Sequence, residues 1–209
     1  MSLPEPRTSP TEATPRWVTA AVVIGSFVAL LYAIEFVDTL MSNRLDAEGV
    51  RPRETDGLLG IVFAPLLHAG WGHLIGNTIP TLVLGFVILL SGVRTWLVVT
   101  AIVWVVGGLG TWLIGQDNSV HIGASVLVFG WLVHLLVRGF FAAKVGQIAL
   151  GVVILVMYGG ILWGVLPGQE GVSWQGHLFG AIGGGLAAWL LAGRAKPQPE
   201  VEKRDPLAW

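Results

Sequence analysis

The chain has 209 residues, 54% of them hydrophobic and 12% charged, with a mean hydropathy of +0.73. Soluble domains carry about 25% charged residues, so this composition argues against an ordinary soluble globule, and a net charge of −1 argues against any nucleic-acid footprint. Cysteine is absent, which excludes disulfides and thiolate metal sites.

Residues 1–16, rich in Pro, Thr, Glu and Arg, read as a disordered cytoplasmic tail. A spanning helix needs about 20 mostly apolar residues, and six such stretches are predicted at 17–41, 74–90, 95–114, 123–137, 145–166 and 175–192. The expected fold is all-α: a polytopic six-helix membrane domain over residues 17–192, followed by a cytoplasmic tail at 193–209. The first span is no cleavable signal, because its apolar run is long for one and no small-residue cleavage pattern follows. Trp17, Trp71, Trp96, Trp112, Trp163, Trp174 and Trp189 fall near the ends of apolar runs, where aromatic side chains sit at a bilayer interface.

Glu35 and Asp38, near the outer end of the first span, are predicted to reach the interface. The stretch HAGWGHLIGN then brings His68, His73 and Asn77 to the start of the second span, with Pro80 one turn deeper. The fourth span begins within VHIGASVLVFGW, which holds Gly123 and Ser125. His121, just before it, is left open, and His134, at its other end, reads as structural. The sixth span begins within WQGHLFGAIGGG, which holds His177, Gly180 and Gly184. The triple glycine Gly183–Gly185 reads as packing, since no Lys-Ser/Thr follows it as a phosphate loop requires.

Lys and Arg set the orientation. With the N-terminus inside, nine of the twelve cations (Arg7, Arg16, Arg94, Arg138, Lys144, Arg194, Lys196, Lys203, Arg204) fall on the inner side. Only Arg44, Arg51 and Arg53 fall outside, so both termini are predicted cytoplasmic. Spans two, four and six then run from outside to inside, and their polar residues lie near their outer ends. Counting back from the cytoplasmic arginine of each at about 1.5 Å per residue puts Ser125 roughly 10 Å, and His177 and Asn77 roughly 5 Å, below the outer surface. Span four is too short to cross alone, so the loop before it is expected to dip inward. Non-helical backbone at that depth must be buried in protein or line water, which predicts a recessed, hydrated cavity.

Polar groups inside spans are expensive and face the bundle interior or such a cavity. A serine hydroxyl becomes nucleophilic beside a base, and histidine is the usual base near neutral pH. Ser125 at a helix start has free backbone N–H donors nearby. His73 and Asn77, four apart, share one helix face and can both donate hydrogen bonds. His177 shares a face with Gly180 and Gly184, the kind of small surface on which spanning helices pack closely. Taken singly, each has a plainer reading: an interhelical polar clasp for His73 and Asn77, a packing serine for Ser125, an interfacial histidine for His177.

Together, HAGWGHLIGN, the Gly123-Ala124-Ser125 triplet and HLFGAIGG resemble the rhomboid family of intramembrane serine proteases in its six-helix bacterial form. The resemblance covers residues 17–192. It implies Ser125 as nucleophile and His177 as general base of a dyad, with no aspartate in the spans placed to make a triad. It implies His73, Asn77 and the Ser125 N–H as the oxyanion hole, His68 as a support for the first loop, and Gly123 as the tight approach before the serine. The implied partners are the lipid bilayer of a bacterial plasma (inner) membrane and single-pass transmembrane proteins, cut near the outer part of their spans. No cofactor and no metal are implied. The chain departs from the family pattern in two places. Val126 follows the nucleophile where the family usually has glycine, and the first loop, 42–72, reads GLLGIVFAPLLH without the common Trp-Arg pair. Two other functions stand beside the protease. One is a catalytically silent rhomboid-like protein that binds client helices. The other, weaker, is a metal site or transporter built on His68, His73, His121 and His177.

Overall fold

A computed structural model describes residues 14–169 and 171–192. Residues 1–13 and 193–209, with most of the first expected tail, all of the second, and Arg7, Arg194, Lys196, Lys203 and Arg204, lie outside the described residues. The chain is a helical bundle. Six long helices run in order: α1 (Arg16–Leu40), then, after a short α2 (Gly60–Phe63), α3 (Trp71–Leu89), α4 (Val93–Ile114), α5 (Ser125–Phe141), α6 (Val145–Tyr158) and α7 (Trp174–Ala192).

Four segments are long and apolar enough to cross a membrane: Arg16–Leu40, Trp71–Leu89, Val93–Ile114 and Val145–Val165. The protein is therefore an integral membrane protein. The expected fourth and sixth spans differ in kind. α5 is an apolar helix of only 17 residues, and α7, with 19, is diluted by Gln175, His177 and its glycines. Both are the interior of the bundle. α7 packs most extensively on α5 and α4, whereas α6 packs on α5, and α1 on α3. Helices that face protein need less hydropathy than helices that face lipid. The expected fifth span is also not one α-helix. It turns into a 3-10 segment at Gly159–Val165, a geometry often found at helix ends and connectors.

The core is centred on Trp131, which is fully buried with Leu84, Ile88, Val99, Leu127 and Leu135 around it. Its indole N–H donates to Thr100 Oγ1 at 3.1 Å, which satisfies the one polar atom it brings inside.

The first loop is ordered by polar contacts with α4. Trp104 Nε1 donates to the Ile61 carbonyl at 2.7 Å and Trp112 Nε1 to the Glu54 carbonyl at 2.8 Å. Arg53 pairs with Asp117 and donates to the Leu113 and Gly115 carbonyls at the end of α4. A single antiparallel bridge joins Val50 to His121.

Glu35 and Asp38 do not reach the interface: both are 2% exposed. The chain after α1 folds back over them, and Leu45 N–H donates to Asp38 Oδ1 at 2.7 Å. A carboxylate that can cap a returning backbone N–H need not seek water, and that return is not visible in the helix periodicity.

Candidate active site

Ser125 is the first residue of α5, so its own N–H and that of Val126 open the helix without an i−4 carbonyl and make no hydrogen bond within the described residues. The turn before it is held on two sides. Gly123 N–H donates to the Ala64 carbonyl at 2.8 Å, and Ala124 N–H donates to His68 Nε2 at 3.3 Å. His68 lies in the loop before α3, is 1% exposed, and must be neutral at Nε2 to accept that bond. Burial, reinforced by the neighbouring His73 ring and opposed by the Leu66 carbonyl, holds its pKa down to about 4.

His177 enters from the first turn of α7. Its Nε2 lies 2.9 Å from Ser125 Oγ and its Nδ1 lies 2.9 Å from the Gly164 carbonyl oxygen. A carbonyl only accepts, so Nδ1 carries the proton in that bond and Nε2 is left to accept from the Ser125 hydroxyl. The ring is also stacked on Phe129, with centroids 4.0 Å apart and planes 8° from parallel. Phe129 stands one turn after Ser125 on α5, so the helix that carries the hydroxyl also carries the platform for its partner.

His73 and Asn77 face the same open cavity, of about 1260 Å³, as Ser125 and His177. Ala69 N–H donates to His73 Nδ1 at 3.4 Å, which leaves the His73 proton on Nε2. Asn77 is 8% exposed, and its Nδ2 has no hydrogen-bond partner in the described residues. Gly123 has φ +123°, and a side chain there would lie 2.6 Å from His73 Cε1, 2.8 Å from His73 Nε2 and 3.5 Å from Ser125 Oγ. The missing side chain is what lets the His73 ring approach the serine turn.

Val126 is accommodated by glycine on other helices. A Cβ on Gly107 of α4 would collide with Val126 Cγ2, and one on Gly180 would lie 3.2 Å from the same methyl and run into the Val126 carbonyl. A Cβ on Gly184 would meet the Gly130 carbonyl. α5 and α7 thus touch backbone to backbone at the level of the Ser125–His177 bond. Gly183 packs on α4, where a Cβ would come within 3.0 Å of Val103 Cα.

The eight residues given site roles from the sequence, His68, His73, Asn77, Gly123, Ser125, His177, Gly180 and Gly184, lie at or directly behind this cluster. Sequence reasoning missed Gly164, Phe129 and Gly107. Phe129 had a signal, since it is four residues after Ser125 on the same helix face. Gly164 acts through its backbone carbonyl and Gly107 through the lack of a side chain, so neither residue type announces its part. His134 is buried low on α5, away from the cavity. The rings of His68 and His73 meet edge to face, with centroids 5.1 Å apart. Among the described residues no group of three or more His, Asp or Glu is arranged to hold a metal ion.

The chain is similar to several known proteins. "Uncharacterized protein Rv1337" of Mycobacterium tuberculosis (strain ATCC 25618 / H37Rv) is 55% identical over 197 residues, 90% of this chain and 82% of that one. "Uncharacterized protein ML1171" of Mycobacterium leprae (strain TN) is 52% identical over 185 residues, 85% of this chain and 73% of that one. "Putative rhomboid protease YdcA" of Bacillus subtilis (strain 168) is 29% identical over 127 residues, 60% of this chain and 63% of that one. No solved structure gives a significant match. The model of the Rhomboid domain matches residues 55–194, well over half of the chain, and the chain belongs to the rhomboid family.

Proposed function

We propose that the protein is an intramembrane serine protease with Ser125 as nucleophile and His177 as general base. The observation that carries this is the 2.9 Å contact between His177 Nε2 and Ser125 Oγ, with Nδ1 already committed to the Gly164 carbonyl. In the first step the Ser125 proton passes to His177 Nε2 while Oγ bonds to the scissile carbonyl carbon. The Gly164 carbonyl holds the ring in the tautomer this transfer needs, the part an aspartate plays in a triad. The oxygen that becomes negative is received by His73 Nε2–H, Asn77 Nδ2–H and the Ser125 N–H. Removing one such donor costs about 10²–10³ in turnover. Collapse breaks the C–N bond, and His177 returns its proton to the leaving amine. A water then delivers its proton to His177 and its oxygen to the acyl carbon, which releases the product acid and restores Ser125.

The substrates of this reading are single-pass transmembrane proteins, cut near the outer part of their spans, where a peptide bond freed from helical hydrogen bonds can be attacked; family membership supports it. The membrane is the bacterial plasma membrane, with both termini in the cytoplasm, as the excess of Lys and Arg on the inner side supports. The silent-relative reading drew its weight from two departures, Val126 after the serine and a first loop without the Trp-Arg pair. The seating of the Val126 side chain over Gly107 leaves the serine turn and its free N–H groups in place, which supports the active form.

The test is labelling of the purified protein by a fluorophosphonate probe and cleavage of a transmembrane substrate, beside Ser125→Ala and His177→Ala. Both activities are expected in the wild type and lost in both variants. Wild-type behaviour in Ser125→Ala refutes the protease and leaves the client-binding alternative.

A further inference from the structure

Four residues before each member of the Ser125–His177 pair stands a second serine–histidine pair, in the opposite order. His121 precedes Ser125 on the α5 side, Ser173 precedes His177 on the α7 side, and His121 Nδ1 lies 2.7 Å from Ser173 Oγ. Proton accounting fixes the direction of each bond. Ser119 Oγ lies 2.5 Å from the Gln116 carbonyl oxygen, which can only accept, so the single Ser119 proton is spent there. Ser119 Oγ then accepts from His121 Nε2 at 2.9 Å, and the neutral ring presents a lone pair at Nδ1 to the Ser173 hydroxyl. Burial pushes the His121 pKa below its ordinary value, which keeps the ring in that neutral form.

Both ends of this contact lead directly to the dyad. On one side His121 exchanges two backbone hydrogen bonds with Val50, each 3.0 Å, and so fixes the segment that enters Gly123 and Ser125. On the other, the Ser173 carbonyl accepts from His177 N–H at 3.1 Å, the first turn of α7. The approach to α7 is otherwise weakly tied. Gly168 and Gly171 take positive φ, and the backbone hydrogen bonds of Leu166, Val172 and Trp174 are local. Among the described residues of 166–173, Ser173 Oγ makes the one side-chain hydrogen bond to another part of the chain.

We propose that His121 and Ser173 form a positioning clamp that sets the separation of Ser125 and His177 by tying the serine turn to the start of α7. The inference rests on the proteolytic reading for its effect on rate but not for its geometry. Neither residue touches the reacting atoms. The clamp acts by holding the two helix starts in register, and a misplacement of about 1 Å in such a pair can cost about 10²-fold.

The experiment measures kcat and KM on a transmembrane substrate, the fluorophosphonate labelling rate, and the ring-nitrogen resonances of ¹⁵N-histidine-labelled protein. Ser173→Ala and His121→Phe, which keeps the ring and removes both nitrogens, are each expected to lower kcat and labelling about tenfold or more with KM within twofold. The double variant should be no slower than the worse single one, and Ser173→Thr, which keeps the hydroxyl, should restore the rate. The His177 ring resonances should move in Ser173→Ala although the two side chains share no hydrogen bond. Unchanged kcat in Ser173→Ala, losses that multiply in the double variant, or an unmoved His177 signal overturns the clamp. Labelling of Ser173 in the Ser125→Ala background also overturns it, in favour of an independent nucleophile. A wild type that cleaves nothing sinks the protease instead, while the His177 resonances still decide the clamp.

Discussion

Replacing Gly107 with alanine places a methyl group where Val126 Cγ2 now lies. Val126 cannot retreat, because the α7 backbone at Gly180 closes the other side. Overpacking of this kind costs about 1–3 kcal/mol. Alanine also gains up to about 1 kcal/mol over glycine inside a helix, so the net cost of Gly107→Ala is about 1 kcal/mol. Val126→Ala removes two methyl groups of a partly buried side chain packed on Gly107 and Gly180, at roughly 0.5–1.5 kcal/mol each, or about 2 kcal/mol together. Simple addition gives about 3 kcal/mol for the pair. In the double variant, however, the new methyl enters the space the valine has left. The clash vanishes and the helix gain remains, so the net loss should be at most about 1 kcal/mol and the coupling about 2 kcal/mol. Equilibrium unfolding in mixed detergent micelles measures all four corners of this cycle. Labelling rate by fluorophosphonate should follow it, falling in Gly107→Ala and recovering in the double variant, because Val126 belongs to the same turn as Ser125. Additivity within about 0.5 kcal/mol would show that Gly107 does not hold the valine and that Val126 is accommodated elsewhere.

Gly123→Ala meets both a positive φ and the His73 ring. It should cost about 1–3 kcal/mol of stability and about 10²-fold or more in substrate turnover, read by the same assays; turnover within threefold of wild type would remove His73 from the site. Phe129→Leu keeps an apolar side chain, somewhat smaller than the ring, and loses the stack on His177. Unfolding should change by less than about 1.5 kcal/mol while kcat drops about tenfold, and an unchanged kcat would show that the Gly164 carbonyl alone fixes the ring. His68 gives the pH dependence. Its pKa is about 4 in the fold against 6.5 free, so the unfolded chain binds the extra proton and stability falls as pH drops from 6.5 toward 4. The loss should approach about 3 kcal/mol. His68→Gln, which can still accept from Ala124 N–H but does not titrate, should flatten that part of the pH profile; an equally steep profile in the variant would assign the titration to another group.

The sequence made the bundle legible because its signals are local. A run of about 20 apolar residues reads as a span wherever it lies, and the polar residues that interrupt such runs are few enough to be read one by one. His68, His73, Asn77, Ser125 and His177 stood out for that reason. What stayed hidden depends on contacts between distant segments. Glu35 and Asp38 were misplaced because the residues that cover them come after the helix has ended. The Gly164 carbonyl could not be seen at all, since every residue offers the same atom. His121 was visible as a polar residue but not as a partner, because Ser173 is 52 positions away and sits in a stretch with no periodicity.

The two helices that least resemble membrane spans are the ones that carry the serine and the histidine, and a single physical demand accounts for both features. For Ser125 and His177 to meet at 2.9 Å from side chains this short, α5 and α7 must approach until backbone touches backbone. That approach requires glycine at 180 and 184 on one helix and at 130 on the other, and glycine contributes little hydropathy. It also requires α1, α3, α4 and α6 to surround the pair and face the lipid, which is where the strongly apolar segments are found, apart from the short α5. A rule that looks for spans by length and hydropathy will therefore pass over both helices that carry this pair, α5 because it has only 17 residues and α7 because glycine and polar residues dilute it. Their glycine spacing and isolated polar residues are the better signal, because both follow from the close approach that brings Ser125 and His177 together.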